Sequence, residues 1–131
     1  MKILVLGDVF GPSGVNAIKK YLPKIIKEKK IDFVVLNGEN AGDKGVGITK
    51  KNTEEFFNAG ADVITSGNHI WDEKETMSFI KNEKRLLRPE NLIQPSPGIG
   101  YGIFNSNNKK KNRINKFNGQ CFHEKNWRCF Y

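Results

Sequence analysis

The sequence has few of the features that mark secreted, membrane-spanning or zinc-binding proteins. Its 131 residues include two cysteines, Cys121 and Cys129, which make neither a disulfide framework nor a paired Cys-x-x-Cys zinc site. No stretch approaches the roughly 20 apolar residues that span a bilayer. The N-terminal apolar run ends at Asp8 without a small-residue cleavage site, unlike a signal peptide. We therefore expect one soluble, cytoplasmic domain with no membrane partner.

Acidic residues are scarce at one end of the chain. Residues 1–104 contain 15 Lys and Arg against 13 Asp and Glu, which is close to balance. Residues 105–131 contain 7 basic residues, one acidic residue, seven asparagines and both cysteines. A basic protein commonly binds nucleic acid, but here most of the net charge of +8 belongs to this short segment. We therefore divide the chain into a folded part, 1–104, and a basic, Asn-rich tail, 105–131.

Three strand-like segments, 2–6, 32–36 and 61–65, alternate with helical patterns. The first segment, 2–6, is typical of a strand buried on both faces, and the other two are interpreted as further strands. Apolar residues recur at helical spacing from Val15 to Ile26, where Pro23 is expected to kink or break the helix. This order predicts an α/β fold with a parallel βαβαβ sheet, followed by an irregular segment, 86–97, and a further strand within 98–104.

Two further helices follow the second and third strands. Thr49 is placed as the N-cap of one helix. Asp72 and Glu75 have the spacing of a capping box that opens the next helix, with Met77 and Ile80 facing inward.

A polar cluster directly follows each predicted strand. Because the carboxyl ends of parallel strands share one edge of the sheet, these clusters are expected to meet there. Carboxylate, amide and imidazole groups ligate divalent metals such as Mn, Fe or Zn, and two such ions can support phosphoryl transfer. The side chains concerned are Asp8, Glu39, Asn40, Asn68 and His69.

Each cluster alone has a simpler explanation. An Asp after a first strand is commonly a helix cap, and Asn37-Gly38 is a common turn dipeptide. A histidine near an aromatic residue such as Trp71 is commonly structural. The joint occurrence at three strand ends favours a functional site.

The three clusters resemble the N-terminal motifs of the calcineurin-like metallophosphoesterase superfamily: Gly7-Asp8-Val9-Phe10-Gly11, Asn37-Gly38-Glu39-Asn40 and Gly67-Asn68-His69. Asn-Gly-Glu-Asn in place of the usual Gly-Asp-x-x-Asp is similar to the YmdB-like bacterial branch. Two further segments fit that branch as well, Trp71-Asp72 and Arg88-Pro89-Glu90-Asn91. The resemblance covers residues 1–104.

The resemblance implies a role for each residue of the site. Asp8 and Asn40 would ligate a first metal ion, Glu39 would bridge both ions, and Asn68 would ligate the second. His69 would donate a proton to the leaving group. The implied activity is a metal-dependent phosphodiesterase that hydrolyses phosphodiesters, cyclic nucleotides included, by a metal-activated hydroxide. The implied cofactors are two divalent ions, iron or manganese.

The implied fold is half of a four-layer α/β/β/α sandwich of about twice this length. The family's second half supplies three more metal-binding histidines, whose motifs do not match the surroundings of His123, the other histidine of this sequence. We therefore interpret the chain as truncated. An uncovered sheet face favours aggregation, a homo-oligomer or a borrowed partner, and the activity of the chain as written is left in question.

The tail is interpreted as out-of-frame translation from about residue 111. With A/T-rich codons, reading one nucleotide further on gives an apolar strand followed by Asn-Leu-x-Gly, which the resemblance leads us to expect after Phe104. The codons of Lys109–Lys111 would form a run of adenines, where slippage occurs. The alternative is a genuine basic tail that contacts RNA through its cations and its aromatic residues, Phe122, Trp127 and Phe130.

Two other functions stay open at this point. A Rossmann-like nucleotide-binding domain would use Gly7–Gly14 at the first strand–helix turn, with a phosphate on the helix N-terminus and no metal. A non-enzymatic fragment would pair its sheet with another chain and contact RNA through the tail.

Overall fold

The computed structural model describes residues 1–92 and 94–118, which form a four-stranded parallel sheet, three α-helices and an antiparallel hairpin. The predicted α/β class is confirmed. The elements in chain order are β1 (Ile3–Leu6), α1 (Gly11–Lys29), β2 (Phe33–Asn37), α2 (Lys50–Asn58), β3 (Val63–Thr65), a 3₁₀ helix (Asn68–Trp71), α3 (Thr76–Phe79), β4 (Leu86–Leu87), β5 (Tyr101–Asn105) and β6 (Lys111–Asn115).

The strand order in the sheet is β1-β2-β3-β4, with all neighbouring strands parallel. Leu6 pairs with Leu36, and Asn37 pairs with Thr65, so the first three strands end at nearly the same level. The two-residue strand β4 lies in the segment 86–97, which the sequence predicted to be irregular. Two residues are too few to show a strand pattern in a sequence.

The three helices pack on one face of the sheet. The central residues of that face, Leu36, Ile64 and Leu86, are completely buried. They share a core with Leu22 of α1 and Phe56 of α2, each at most 1% exposed. The amphipathic pattern read from the sequence therefore describes this face well.

The opposite face is covered by the hairpin of β5 and β6. Phe104 and Ile114 of the hairpin pack against a second core formed by Phe33, Val35, Val63 and Leu87. This cover stops short of β1, where Ile3 and Val5 are 46% and 70% exposed. The prediction that residues 2–6 form a strand buried on both faces is therefore wrong, because β1 is an edge strand with one covered face.

Helix α1 runs from Gly11 to Lys29 without an interruption at Pro23. Pro23 is exposed, and so is Lys19, whose carbonyl loses its helical hydrogen-bond partner to the proline. That carbonyl lies on the solvent side of the helix, which explains why the helix continues where the sequence predicted a kink or a break.

The cap predicted for α2 is present, whereas the one predicted for α3 is not. Thr49 accepts a hydrogen bond from Asn52 N at 3.0 Å, and Asn52 Oδ1 accepts one from Thr49 N at 3.2 Å. The short helix α3 begins at Thr76 with no side-chain cap, since Asp72 bonds to His69. Ile80 is buried as predicted, but Met77 is 51% exposed.

Regular structure extends past residue 104, the end of the folded part inferred from the sequence. Asn105 completes β5, and Lys111–Asn115 pair with it as β6, with Asn112 buried. Strands rarely contain this many Lys and Asn residues, so the pattern was not readable as a strand. The residues beyond 118, with the tail aromatics and His123, lie outside the described part of the chain.

Within residues 1–92 and 94–118, no helix is long and apolar enough to cross a membrane.

Candidate active site

The loops after β1, β2 and β3 lie side by side at the carboxyl edge of the sheet. Val9 N donates to Asn37 O at 3.0 Å, and Gly38 N donates to Thr65 O at 3.0 Å. These two bonds continue the strand pairing beyond the last residues of the strands. The structure therefore brings together the three polar clusters that the sequence placed at this edge, as the topology of a parallel sheet requires.

Asp8 and Asn40 are in direct contact. Asn40 Nδ2 donates to Asp8 Oδ1 at 2.8 Å, and the backbone carbonyl of Asn40 accepts from Gly11 N at 2.8 Å. Asp8 is exposed and Asn40 is half-buried. Rotating the Asn40 amide by half a turn would point its oxygen, in place of its nitrogen, toward a cation held by Asp8. This pair thus has the donor atoms predicted for a first metal ion.

Glu39 reaches from the end of β2 to the end of β3. Its Oε2 accepts from Asn37 Nδ2 at 3.3 Å, and its backbone N donates to Asn37 Oδ1 at 3.0 Å. The carboxylate lies so close to Gly67 that a Cβ at that position would overlap it. Glycine at position 67 therefore leaves room for the Glu39 carboxylate next to the residue that precedes Asn68, and a larger residue would displace that carboxylate.

Asn68 and His69 begin the 3₁₀ helix that follows β3. Asn68 is exposed, and His69 Nδ1 lies 2.7 Å from Asp72 Oδ2. Because this carboxylate accepts from Nδ1, the other ring nitrogen, Nε2, is left to exchange a proton with a bound molecule. Asp72 is a site residue that the sequence reading missed. Its spacing three residues after His69 was the available signal, but it was interpreted as a helix cap.

The donor set determines what kind of ion the site would accept. Asp8, Glu39, Asn40 and Asn68 supply carboxylate and amide oxygens, which suit hard divalent ions such as Mg²⁺ or Mn²⁺. In the part of the chain that the structure describes, no group of three or more His, Cys, Asp or Glu side chains is arranged to hold a metal. These four residues therefore fit a divalent ion in chemical type, and they would supply part of the ligands of a two-metal site.

The family model of the YmdB-like proteins matches residues 4–131 of this chain. A Bacillus subtilis protein named 2',3'-cyclic-nucleotide 2'-phosphodiesterase is 42% identical over 115 residues, which are 88% of this chain and 43% of that protein. The chain thus spans less than half the length of this relative.

Two solved structures share the fold. A hypothetical protein from Thermus thermophilus superposes with a TM-score of 0.85 at 30% identity, covering 95% of this chain and 48% of that one. A structure described as a novel phosphatase from Mycoplasma pneumoniae superposes with a TM-score of 0.80 at 36% identity, covering 91% of this chain and 43% of that one.

Proposed function

The chain belongs to the YmdB-like family, and from this premise we propose that it carries the N-terminal half of a metal-dependent phosphodiesterase site. The observation that carries the proposal is the approach of the Glu39 carboxylate to Gly67, at the same edge of the sheet as the hydrogen bond from Asn40 to Asp8. We propose that the substrate is a phosphodiester, a class that includes cyclic nucleotides, in line with the name of the Bacillus subtilis relative.

We propose that Asp8, Glu39, Asn40 and Asn68 hold two divalent ions, iron or manganese, with Glu39 shared between them. When bound, such ions supply Lewis-acid stabilisation of phosphoryl charge and ease the ionisation of an attacking water. The chain's own residues then orient the substrate at the carboxyl edge of the sheet. The carboxylate and amide oxygens support manganese, whereas iron is proposed from the family resemblance alone.

His69 is the residue that we propose to protonate the departing oxygen. Asp72 holds its Nδ1 at 2.7 Å, which fixes the ring and directs Nε2 away from that carboxylate. A proton held on Nε2 would pass to the leaving group as the bond to phosphorus breaks. Asp72 acts here as a positioning residue.

Hydrolysis of two phosphodiesters with different leaving groups tests this proposal. A 2',3'-cyclic nucleotide expels a basic alkoxide, whereas bis(p-nitrophenyl) phosphate expels a phenolate that needs little protonation. With Mn²⁺ present we expect His69→Gln to lower kcat for the cyclic nucleotide by about 10²–10⁴-fold, the usual range for general acid catalysis, and to lower it much less for the aryl ester. Hydrolysis unaffected by chelation of the metal would contradict the metal-dependent mechanism. Equal losses on both substrates would contradict the role of His69.

The Rossmann-like alternative assigns a different ligand to the same edge of the sheet. It requires a phosphate at the start of α1, and it leaves Glu39, Asn68 and the His69–Asp72 pair without a function. The RNA-contacting alternative depends mainly on tail residues outside the described part of the chain.

The out-of-frame interpretation of the residues from about 111 stays a prediction. In the structure, the segment Lys111–Asn115 of the given sequence forms β6 and pairs with β5. Resequencing the gene through the codons of Lys109–Lys111 would test it: one restored nucleotide would support the frameshift, and the same reading frame would contradict it.

A further inference from the structure

Phe10 is a large apolar side chain that is exposed beside the candidate site. It follows Asp8 by two residues and is 60% exposed, whereas the neighbouring Val9 is only 5% exposed. It also borders, together with Asp8, an open groove of about 410 Å³ between the end of β1 and the first turns of α1. This volume lies within the roughly 300–1,000 Å³ of small-molecule sites.

The backbone on both sides of Phe10 is fixed by the loop that carries Glu39 and Asn40. Val9 N donates to Asn37 O at 3.0 Å, and Gly11 N donates to Asn40 O at 2.8 Å. The carbonyl of Phe10 itself accepts from Gly14 N at 3.1 Å in the first turn of α1. The position of Phe10 relative to the proposed metal ligands is therefore set by three main-chain bonds.

The ring of Phe10 packs on the backbone of Gly45. A Cβ on Gly45 would approach the ring atom Cε2 to 2.8 Å, so an alanine there would displace the ring. Gly45 belongs to a loop that closes on itself through a bond of 2.9 Å from Gly42 N to Gly47 O, and its φ is +76°. Because the exposed ring is supported in this way, it already has a fixed orientation, and a ligand that packs on it would cost little side-chain entropy.

We propose that Phe10 is a stacking platform for the base of a nucleotide substrate. This inference rests on the proposed function and deepens it, because it selects base-bearing phosphodiesters over base-free ones. Phe10 follows β1 and Asn68 follows β3, and these two strands lie two spacings of about 4.8 Å apart in the sheet. A nucleotide whose phosphate lies over the strand ends can therefore place its base on the ring. Stacking on an aromatic face tolerates every base, since each base has a π-face.

Two ligands that differ in the base alone test the platform directly: adenosine 5'-monophosphate and ribose 5-phosphate, each titrated calorimetrically in the presence of Mn²⁺. We expect the wild type to bind the nucleotide more tightly than the sugar phosphate. Phe10→Leu keeps an apolar contact with Gly45 and loses the ring. It should weaken nucleotide binding by about 5- to 150-fold, the range that loss of one base–aromatic stack produces, and leave ribose 5-phosphate binding unchanged.

Two further variants serve as controls. Phe10→Trp keeps an aromatic face and should retain the preference for the nucleotide. Tyr21→Leu removes a ring that is 51% exposed in the third turn of α1 and does not line the groove, and it should change the affinity for neither ligand.

The platform is overturned if Phe10→Leu weakens both ligands equally, if the preference for the nucleotide survives in Phe10→Leu, or if the wild type binds both ligands equally. In the last case phosphate binding would still support the proposed function. If neither ligand binds, the platform fails, and the hydrolysis of bis(p-nitrophenyl) phosphate decides separately on the phosphodiesterase.

Discussion

On one face of the parallel sheet Leu36, Ile64 and Leu86 are completely buried under the helices, whereas on the other face Ile3 and Val5 of the edge strand are 46% and 70% exposed. The helix-covered face is continuous from β1 to β4. The hairpin-covered face is buried over β2, β3 and β4 and open over β1. Of the three strands that end at the candidate site, β2 and β3 are therefore packed on both faces, whereas β1 is packed on the helix-covered face alone.

The largest effect is expected on the helix-covered face. Leu36→Ala removes a completely buried side chain and should lower the free energy of unfolding by about 2–5 kcal/mol. Val5→Ala, on the open part of the other face, should lower it by less than about 0.5 kcal/mol. Urea unfolding of both variants measures the contrast, and similar losses would mean that the two faces contribute equally.

A smaller effect is expected where the hairpin covers the second face. Phe104 is half-buried against Phe33, Val35, Val63 and Leu87, so Phe104→Ala should cost about 1–2 kcal/mol, less than a fully buried Phe. The matched control is Ile103→Ala on the same strand, because Ile103 is 66% exposed and should cost less than about 0.5 kcal/mol. A greater loss at Ile103 would show that the hairpin packs through its other side.

Gly67→Ala tests the metal affinity of the candidate site, where the previous variants test the stability of the fold. A Cβ at position 67 would overlap the Glu39 carboxylate, so the variant should displace that group and weaken Mn²⁺ binding by about tenfold or more, close to 1.4 kcal/mol. Gly7→Ala is the matched control at the same edge, because a Cβ there meets no atom within 4 Å. Metal titration of both variants measures the effect. Equal affinities in the two variants would argue against Glu39 as a ligand.

The smallest effect concerns a carboxylate at the opposite end of the sheet. Desolvation raises the pKa of Asp62 above its ordinary value of 3.8, although its hydrogen bond from Val34 N, at 2.7 Å, and the charge of Arg85 lower it. The folded state therefore binds more protons than the unfolded state just above pH 3.8, and stability falls as the pH rises through that window.

Asp62→Asn tests this pH dependence. The asparagine keeps an oxygen that accepts from Val34 N and removes the ionisation, so the variant should lack this part of the fall in stability. Denaturant unfolding between pH 3.5 and 6, at constant salt, compares the two proteins (roughly the range in which a carboxyl titrates). A wild type that gains stability relative to Asp62→Asn over this range would contradict the desolvation argument.

The first three strands and their polar edge were predictable from the sequence, because each of these strands is rich in apolar residues and ends at a polar cluster. The level ends of β1, β2 and β3 follow from parallel pairing, so the meeting of Asp8, Glu39 and Asn68 at one edge needed no long-range information. Thr49 was predictable as a cap for the same reason, since the capping signal is local.

Features that depend on tertiary contacts were not predictable from the sequence. Ile3 and Val5 look like residues of a central strand, and their position at the sheet edge alone exposes them. Asp72 has the spacing of a cap, but its carboxylate pairs with His69. The packing of Glu39 against Gly67 joins two loops 28 residues apart, and nothing local in the sequence indicates it.

Calorimetric titration of Mn²⁺ into the wild type and Glu39→Gln tests the central claim most directly, that the carboxyl edge of this sheet is a metal site. Glu54→Gln is the control, because Glu54 is an exposed residue of α2 whose partner in the structure is Lys50 at 3.8 Å. We predict that the wild type and Glu54→Gln bind Mn²⁺ alike and that Glu39→Gln loses binding. Unchanged Mn²⁺ binding by Glu39→Gln would contradict the metal site and the function derived from it.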